Sequence, residues 1–225
     1  MPARPESQPA QSPAAPARPS GSDRRASLRE RQAELRRNYL LDAAEEAFAS
    51  AGFEGATMRE IAAAAGFSPA AVYTMFESKD TLFAAIMDRH AQVLLKLHQD
   101  AIASDGSVEE RLHRMIDRKL DYHMAHQEFS RLYQKSIGMS MLRIESLDST
   151  SYRRFHETMD VMAALFRQGV ESGVMYPGDP KHLTMLFSGM IEGHLARALF
   201  EVPETDSARQ LLHDAATRAF VKPAR

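Results

Sequence analysis

Cysteine is absent from the 225 residues. That removes disulfide frameworks, thiolate metal sites and cysteine nucleophiles together, and it fits a reducing compartment. No apolar run approaches the roughly 18 residues that a membrane helix needs. The N-terminus lacks the apolar core of a secretory leader. A membrane partner is therefore not expected, and the cytoplasm is the expected location. Strand alternation is missing too: no segment alternates apolar and polar residues over a convincing length. Charge of one sign is also lacking. The net charge is −2, so any surface that attracts DNA must come from local placement of charge. What remains is ordinary: 44% apolar and 26% charged residues, the composition of a globular protein. The length suits one large domain or two small ones, with chain enough to build a core.

Six of the eleven prolines fall in residues 1–22. A segment of Pro, Ala, Ser and Gln buries too little apolar surface to offset its ordering entropy, so residues 1–23 are expected to be a disordered tail. Six arginines follow between Arg24 and Arg37, against Glu30 and Glu34. This is either a solvated helix start or an arm that meets phosphates.

From there the apolar spacing is helical. Leu40, Ala43, Ala44, Ala47, Phe48 and Ala51 share one stripe, and Gly52 supplies a stop. Thr57-Met58-Arg59-Glu60 is a capping box, followed by Met58, Ile61, Ala62 and Ala65. Gly66 ends that short helix. Ser68 caps the next, with Pro69 at its first position, where a missing N–H is harmless. Ser78 caps a fourth helix, and Ser107-Val108-Glu109-Glu110 is a further box. Tyr176-Pro177-Gly178-Asp179-Pro180 is a turn and cap, and Pro203 separates the last two helices. The predicted class is all-α: a helix-turn-helix domain with its basic lead-in over 24–83, then a larger helical domain over 84–225.

Two short helices joined by a tight turn at Gly66 form a helix-turn-helix pattern. Val72, Met75 and Phe76 anchor the second helix. Ser68, Pro69, Ala70, Ala71, Tyr73 and Thr74 are left for a major groove. Small residues permit close approach to base edges, an alanine methyl can touch thymine, and Tyr73 can reach a phosphate. Spacing alone does not separate a DNA reader from two helices that merely pack together.

The longer string does. Leu41-Asp42-Ala43-Ala44 with Phe48, then Gly52-Phe53-Glu54-Gly55-Ala56-Thr57-Met58-Arg59-Glu60-Ile61-Ala62, Ala65-Gly66-Phe67-Ser68, Val72-Tyr73, Phe76 and Ser78-Lys79-Asp80-Thr81-Leu82-Phe83 run in order. Residues 37–90 resemble the DNA-binding domain of the tetracycline-repressor (TetR) family. The resemblance implies a homodimeric regulator on a palindromic, double-stranded DNA operator, released by a small apolar or amphipathic effector. Thr57, Tyr73 and Lys79 are the implied phosphate side of the contact, and Arg59 is a further candidate DNA-binding residue. Each of Thr57, Tyr73 and Lys79 has a structural alternative: a cap, a surface cover, a solvated ammonium. Thr74 and Met75 follow Tyr73 where relatives often carry a second aromatic or histidine, so the phosphate grip is expected to be less complete.

The second half fits the family's effector and dimer domain by pattern. Met115, Phe129, Tyr133, Phe155, Met159, Met162 and Phe166 are candidate pocket residues, since methionine adapts its shape; ordinary core packing explains each of them singly. Leu165, Leu186, Gly189, Met190, Gly193 and Leu195 are candidate dimer contacts, in an interface built from roughly 152–172 and 181–200. His123 and His126 stand three apart, with His90, His98 and His113 upstream. They are read as surface or satisfied histidines, because no matching carboxylate or thiolate set makes a zinc signature. No cofactor or metal is expected, and no nucleophile–base set points to an enzyme. An activator, a ligand-independent regulator or an interaction module without DNA binding are the alternatives.

Overall fold

The computed structural model describes residues 21–140 and 149–223. Its helices are α1 (Gly21–Gly55), α2 (Met58–Ala64), α3 (Pro69–Met75), α4 (Lys79–Ala103), α5 (Val108–Ala125), α6 (Gln127–Ser140), α7 (Ser149–Glu171), α8 (Pro180–Phe200) and α9 (Asp206–Phe220). Among the described residues the only β pairing is an isolated bridge between Met175 and Val221. The chain is all-α, as expected.

The helix boundaries follow from local chemistry. Gly52 sits at φ 75°, ψ 167° inside α1, a left-handed setting that interrupts the helix where the sequence places a stop. Gly66, at φ 72°, turns the chain between α2 and α3. The expected capping boxes close at Thr57–Glu60 and Ser107–Glu110. At the head of α8, Asp179 accepts from the His182 N–H at 2.8 Å, with Pro180 behind it.

The chain divides into two units, Met1–Asn38 and Tyr39–Arg225. In the first unit the described part is helical from Gly21, with Arg25, Arg29, Arg31, Arg36 and Arg37 exposed. Most of the tail expected over 1–23 lies outside the described residues. Its last three positions begin α1 instead, so the arginine run lies within the helix.

The second unit holds two apolar cores. One joins Leu40, Leu41, Ala44 and Phe48 of α1 to Ile61 and Ala62 of α2, Val72 of α3, and Leu82 and Ile86 of α4. Phe48, Phe53 and Phe83 meet in it with centroids 5.3–5.8 Å apart, a range in which aromatic pairs attract. Phe129 and Leu132 of α6 belong to the same cluster. The other core packs Leu112, Met115 and Ile116 of α5 against Met162, Leu165 and Phe166 of α7, Phe187, Ile191 and Leu195 of α8, and Phe220 of α9. Full burial of each such side chain contributes about 1.5–3 kcal/mol.

Candidate nucleic-acid interface

The recognition surface starts from two short helices held by one core. Ile61 and Ala62 of α2 and Val72 of α3 are fully buried. This fixes which faces of the helices point outward. On α3, Ser68, Pro69, Ala70, Tyr73 and Thr74 are exposed, and Ala71 is half-buried. Tyr73 is 54% exposed, too open to be a core residue. Ser68 caps the helix by accepting from the Ala71 N–H at 3.2 Å. Thr74 donates its hydroxyl proton to the Ala70 carbonyl at 2.9 Å. Its methyl and oxygen lone pairs are what it can offer a groove.

Thr57, Arg59, Tyr73 and Lys79 line a single shallow cleft of about 520 Å³ with Glu54, Met58, Glu77 and Ser78. The structure thus brings the phosphate-side residues together. It also assigns two of them internal duties. The Thr57 hydroxyl accepts from the Glu60 N–H at 3.2 Å and donates to the Glu60 carboxylate at 2.6 Å, while the Thr57 N–H donates to that carboxylate at 3.1 Å. These bonds hold the Glu60 carboxyl below its ordinary range. Lys79 turns inward: its ammonium donates to the Glu54 carbonyl at 3.3 Å and the Ala56 carbonyl at 3.2 Å, 4.6 Å from the Phe53 ring centre. It braces the α1–α2 turn. Helix-start position alone could not show this, because the partners lie more than twenty residues away.

Two descriptions of known families match the chain: "Bacterial regulatory proteins, tetR family" over residues 40–86 and "Tetracyclin repressor-like, C-terminal domain" over residues 105–195. The HTH-type transcriptional repressor SCO4008 of Streptomyces coelicolor is 32% identical over 141 residues, 63% of this chain and 68% of that one. The chain belongs to the tetR family of bacterial regulatory proteins. Solved structures agree on the fold. A TetR-family regulator from Marinobacter aquaeolei superposes with a TM-score of 0.72 at 20% identity, covering 86% of this chain and all of that one. AibR, solved with isovaleryl coenzyme A and operator DNA, superposes with a TM-score of 0.62 at 20% identity, covering 82% of this chain and 98% of that one. The protein is a helix-turn-helix transcriptional regulator, and its relatives are regulators rather than enzymes.

The residues expected to line an effector pocket do not form one group. Met115, Met162 and Phe166 are buried in the second core, with Met159 against it; Phe129 and Tyr133 belong to the first. The side chain of Phe155 lies outside the described residues. The dimer candidates divide as well. Leu165 and Leu195 are fully buried within this one chain, so neither side chain is open to a second copy. Leu186 is 52% exposed, Gly189 and Gly193 are exposed, and Met190 is half-buried. Apolar residues run all round α8, and periodicity could not tell its inner stripe from its outer one.

Sequence reasoning missed the buried polar groups. Arg89 bonds Asp42 at 2.6 Å and Glu45 at 2.7 Å, and His90 joins the Tyr122 hydroxyl at 2.6 Å to Glu45 at 2.8 Å. Burial raises the Glu45 carboxyl, but His90 and Arg89 outweigh it and the net shift is downward. Burial pushes the Tyr122 hydroxyl up to about 12. Deeper in the larger region, Lys119 pairs with Glu192 at 2.5 Å. Gln134 also donates to Glu192, at 2.7 Å. His98 and His123 are 2% and 0% exposed, and one ring nitrogen of each has no hydrogen-bond partner among the described residues, so neither is a surface or a fully satisfied histidine. Among the described residues no group of three His, Cys, Asp or Glu is arranged to hold a metal ion.

Proposed function

We infer that this regulator is a ligand-released repressor that binds a palindromic operator as a homodimer. The observation that carries the DNA reading is the cleft at the foot of α2 and α3, where Arg59 and Tyr73 stand open beside the exposed start of the recognition helix. In this reading Arg59 and Tyr73 meet phosphates, and Ser68, Pro69, Ala70 and Thr74 enter the major groove. Ala71 contributes its methyl at the edge of the contact. Thr57 offers its capped N-terminus to the backbone, and Lys79 acts by holding the turn. The arginines between Arg24 and Arg37 supply a further phosphate arm.

A two-fold dimer places its recognition helices about 34 Å apart or a multiple of that. The surface offered to the second copy is the outer side of α8 together with α9. Met185, Leu186, Phe200, Val202 and Leu211 are exposed there, beside a groove of about 710 Å³ containing Met190, His194, Leu211 and Leu212. Open apolar surface of this kind marks an interaction site. This differs from the pairing of 152–172 with 181–200 that the family resemblance implies. No enzymatic role is proposed, and a cytoplasmic location follows from the function.

The test is a shift assay on the DNA upstream of the protein's own gene, repeated across salt concentrations. Arg59→Ala is expected to weaken binding and to lower the salt slope by about 1, and Tyr73→Ala to weaken binding with the slope unchanged, because a phenol carries no charge. Unchanged affinity and slope in both would overturn the reading. Leu186→Asp is expected to convert the dimer to monomer in sedimentation and to abolish tight binding to the full palindrome.

A further inference from the structure

The hydrogen bonds around His123 fix its tautomer. Ser130 Oγ has a single proton, and it faces the His123 carbonyl at 2.9 Å and the His126 carbonyl at 2.7 Å. With that proton engaged, Oγ must accept from His123 Nδ1, 2.8 Å away. Nδ1 therefore carries the ring proton, and Nε2 is left as a bare lone pair. Nε2 is buried and has no hydrogen-bond partner among the described residues, and the same holds for Nδ1 of His98. Buried polar atoms in folded proteins are nearly always satisfied. Two orphans that both feel the charge of Lys119 are an exception to that rule.

The surroundings define what a ligand there must be. Burial, and then the charge of Lys119, press both imidazoles down to about 3, so both are neutral in the cell. Lys119 is matched by Glu192. Glu192 is in turn held by Gln134 and by the Tyr133 hydroxyl. The centre is thus electrically balanced, and an ion placed in it would bring a charge with no partner left to meet it. Its neighbours are apolar and aromatic. Ala101 lies one turn beyond His98, Met115 and Ile116 one turn before Lys119, all in the second core. The rings of Phe129 and Tyr133 stand 5.8 and 5.7 Å from that of His123.

We propose that the buried centre of His98, Lys119, His123 and Glu192, between α4, α5 and α8, is the effector site, and that it takes a small uncharged molecule with a hydrogen-bond donor on an apolar or planar body. The donor meets Nε2 of His123. A second polar group, donor or acceptor, meets Nδ1 of His98, whose tautomer no described partner dictates. The proposal rests on the ligand-responsive reading above and gives it a chemical class. It also gives a route outward: Ser130 and Gln134, which touch the centre, share α6 with Phe129 and Leu132, which fill the core beneath the DNA-binding helices.

The experiment uses the full chain labelled with ¹⁵N and follows its imidazole nitrogens by long-range ¹H–¹⁵N spectra. The probes are phenol, benzamide and 1-hexanol. Each is set against its methylated counterpart (anisole, N,N-dimethylbenzamide, 1-methoxyhexane), with benzoate and hexanoate as anions. At least one donor is expected to move the Nε2 resonance of His123 saturably toward the protonated-nitrogen range, with its methylated counterpart leaving it in place. His123→Phe is expected to weaken that donor's binding about tenfold, the loss of one buried hydrogen bond. His98→Phe serves if the first variant does not fold, and the wild-type titration stands without either. If no donor moves either nitrogen, if the methylated compounds do so equally, or if the anions bind more tightly, the proposal is overturned. Operator binding by the wild type is read separately. DNA binding with silent histidines sinks the site alone, whereas responsive histidines without binding to any DNA sink the regulator reading alone.

Discussion

The DNA-binding head and the larger helical region use the same helices and caps but bury different chemistry. In the head, the helix-capping side chains next to the motif are satisfied three residues away: Thr57 by Glu60, Ser68 by Ala71, Ser78 by Thr81. Its interior below α2 and α3 is apolar and aromatic. The larger region buries Lys119, His123, Ser130 and Thr184, and its central ion pair joins residues 73 positions apart in sequence. A surface that must present one shape to DNA gains from local closure. A region that must answer to a small molecule needs polar groups whose partners can change.

The largest expected effect falls on that central pair. Lys119→Met leaves Glu192 buried without its cation and is expected to cost about 3–5 kcal/mol in urea unfolding, much of it recovered by adding Glu192→Leu. A small loss would erase the contrast between the regions. Acid comes next. Unfolded histidine takes a proton near 6.5, whereas folded His98 and His123 resist it until about 3. The unfolded state therefore binds more protons in that window, and stability falls as pH falls from 6.5 toward 3. Between pH 6.5 and 4.5 each imidazole is expected to remove about 2–3 kcal/mol. Melting curves for the wild type and for His98→Phe with His123→Phe should diverge on acidification, the variant being flatter.

In the head the effects are smaller. Lys79→Ala breaks two half-exposed bonds to carbonyls and is expected to destabilise by about 1 kcal/mol while leaving the salt slope of operator binding unchanged. A slope lowered by about 1 would return Lys79 to the phosphate side. Thr57→Ala removes a cap and is expected to cost about 1 kcal/mol in thermal unfolding, with Thr57→Asp restoring most of it.

What could be read in the sequence was what is local. The glycine at 52, the box at 57–60, the Ser68–Pro69 start and the Asp179–Pro180 start each depend on residues within one turn, and each stands where the spacing put it. The exposed set on α3 was legible for the same reason: burying Val72 and Phe76 fixes the opposite face. Contacts made across the fold were not legible. Lys79 reaches the carbonyls of Glu54 and Ala56, Glu45 reaches Arg89 and His90, and Lys119 reaches Glu192. Charged residues at helical spacing look solvated until the partner helix is in place. The dimer residues on α8 were half legible, because a helix with apolar residues on all sides states that both sides are covered without saying by what.

Phe129 and Leu132 have one consequence for how such proteins can be cut and recombined. Both come from beyond residue 125, yet they complete the core on which the DNA-binding helices sit, and Phe129 lies flat on His90 with ring centres 3.6 Å apart. The head is thus not a portable module. A fragment ending after α4 would carry the full motif and every groove-facing residue, but its underside would be open to water. Exchange of heads between regulators of this build would succeed only where the incoming body carries its own aromatic plug in register with α4.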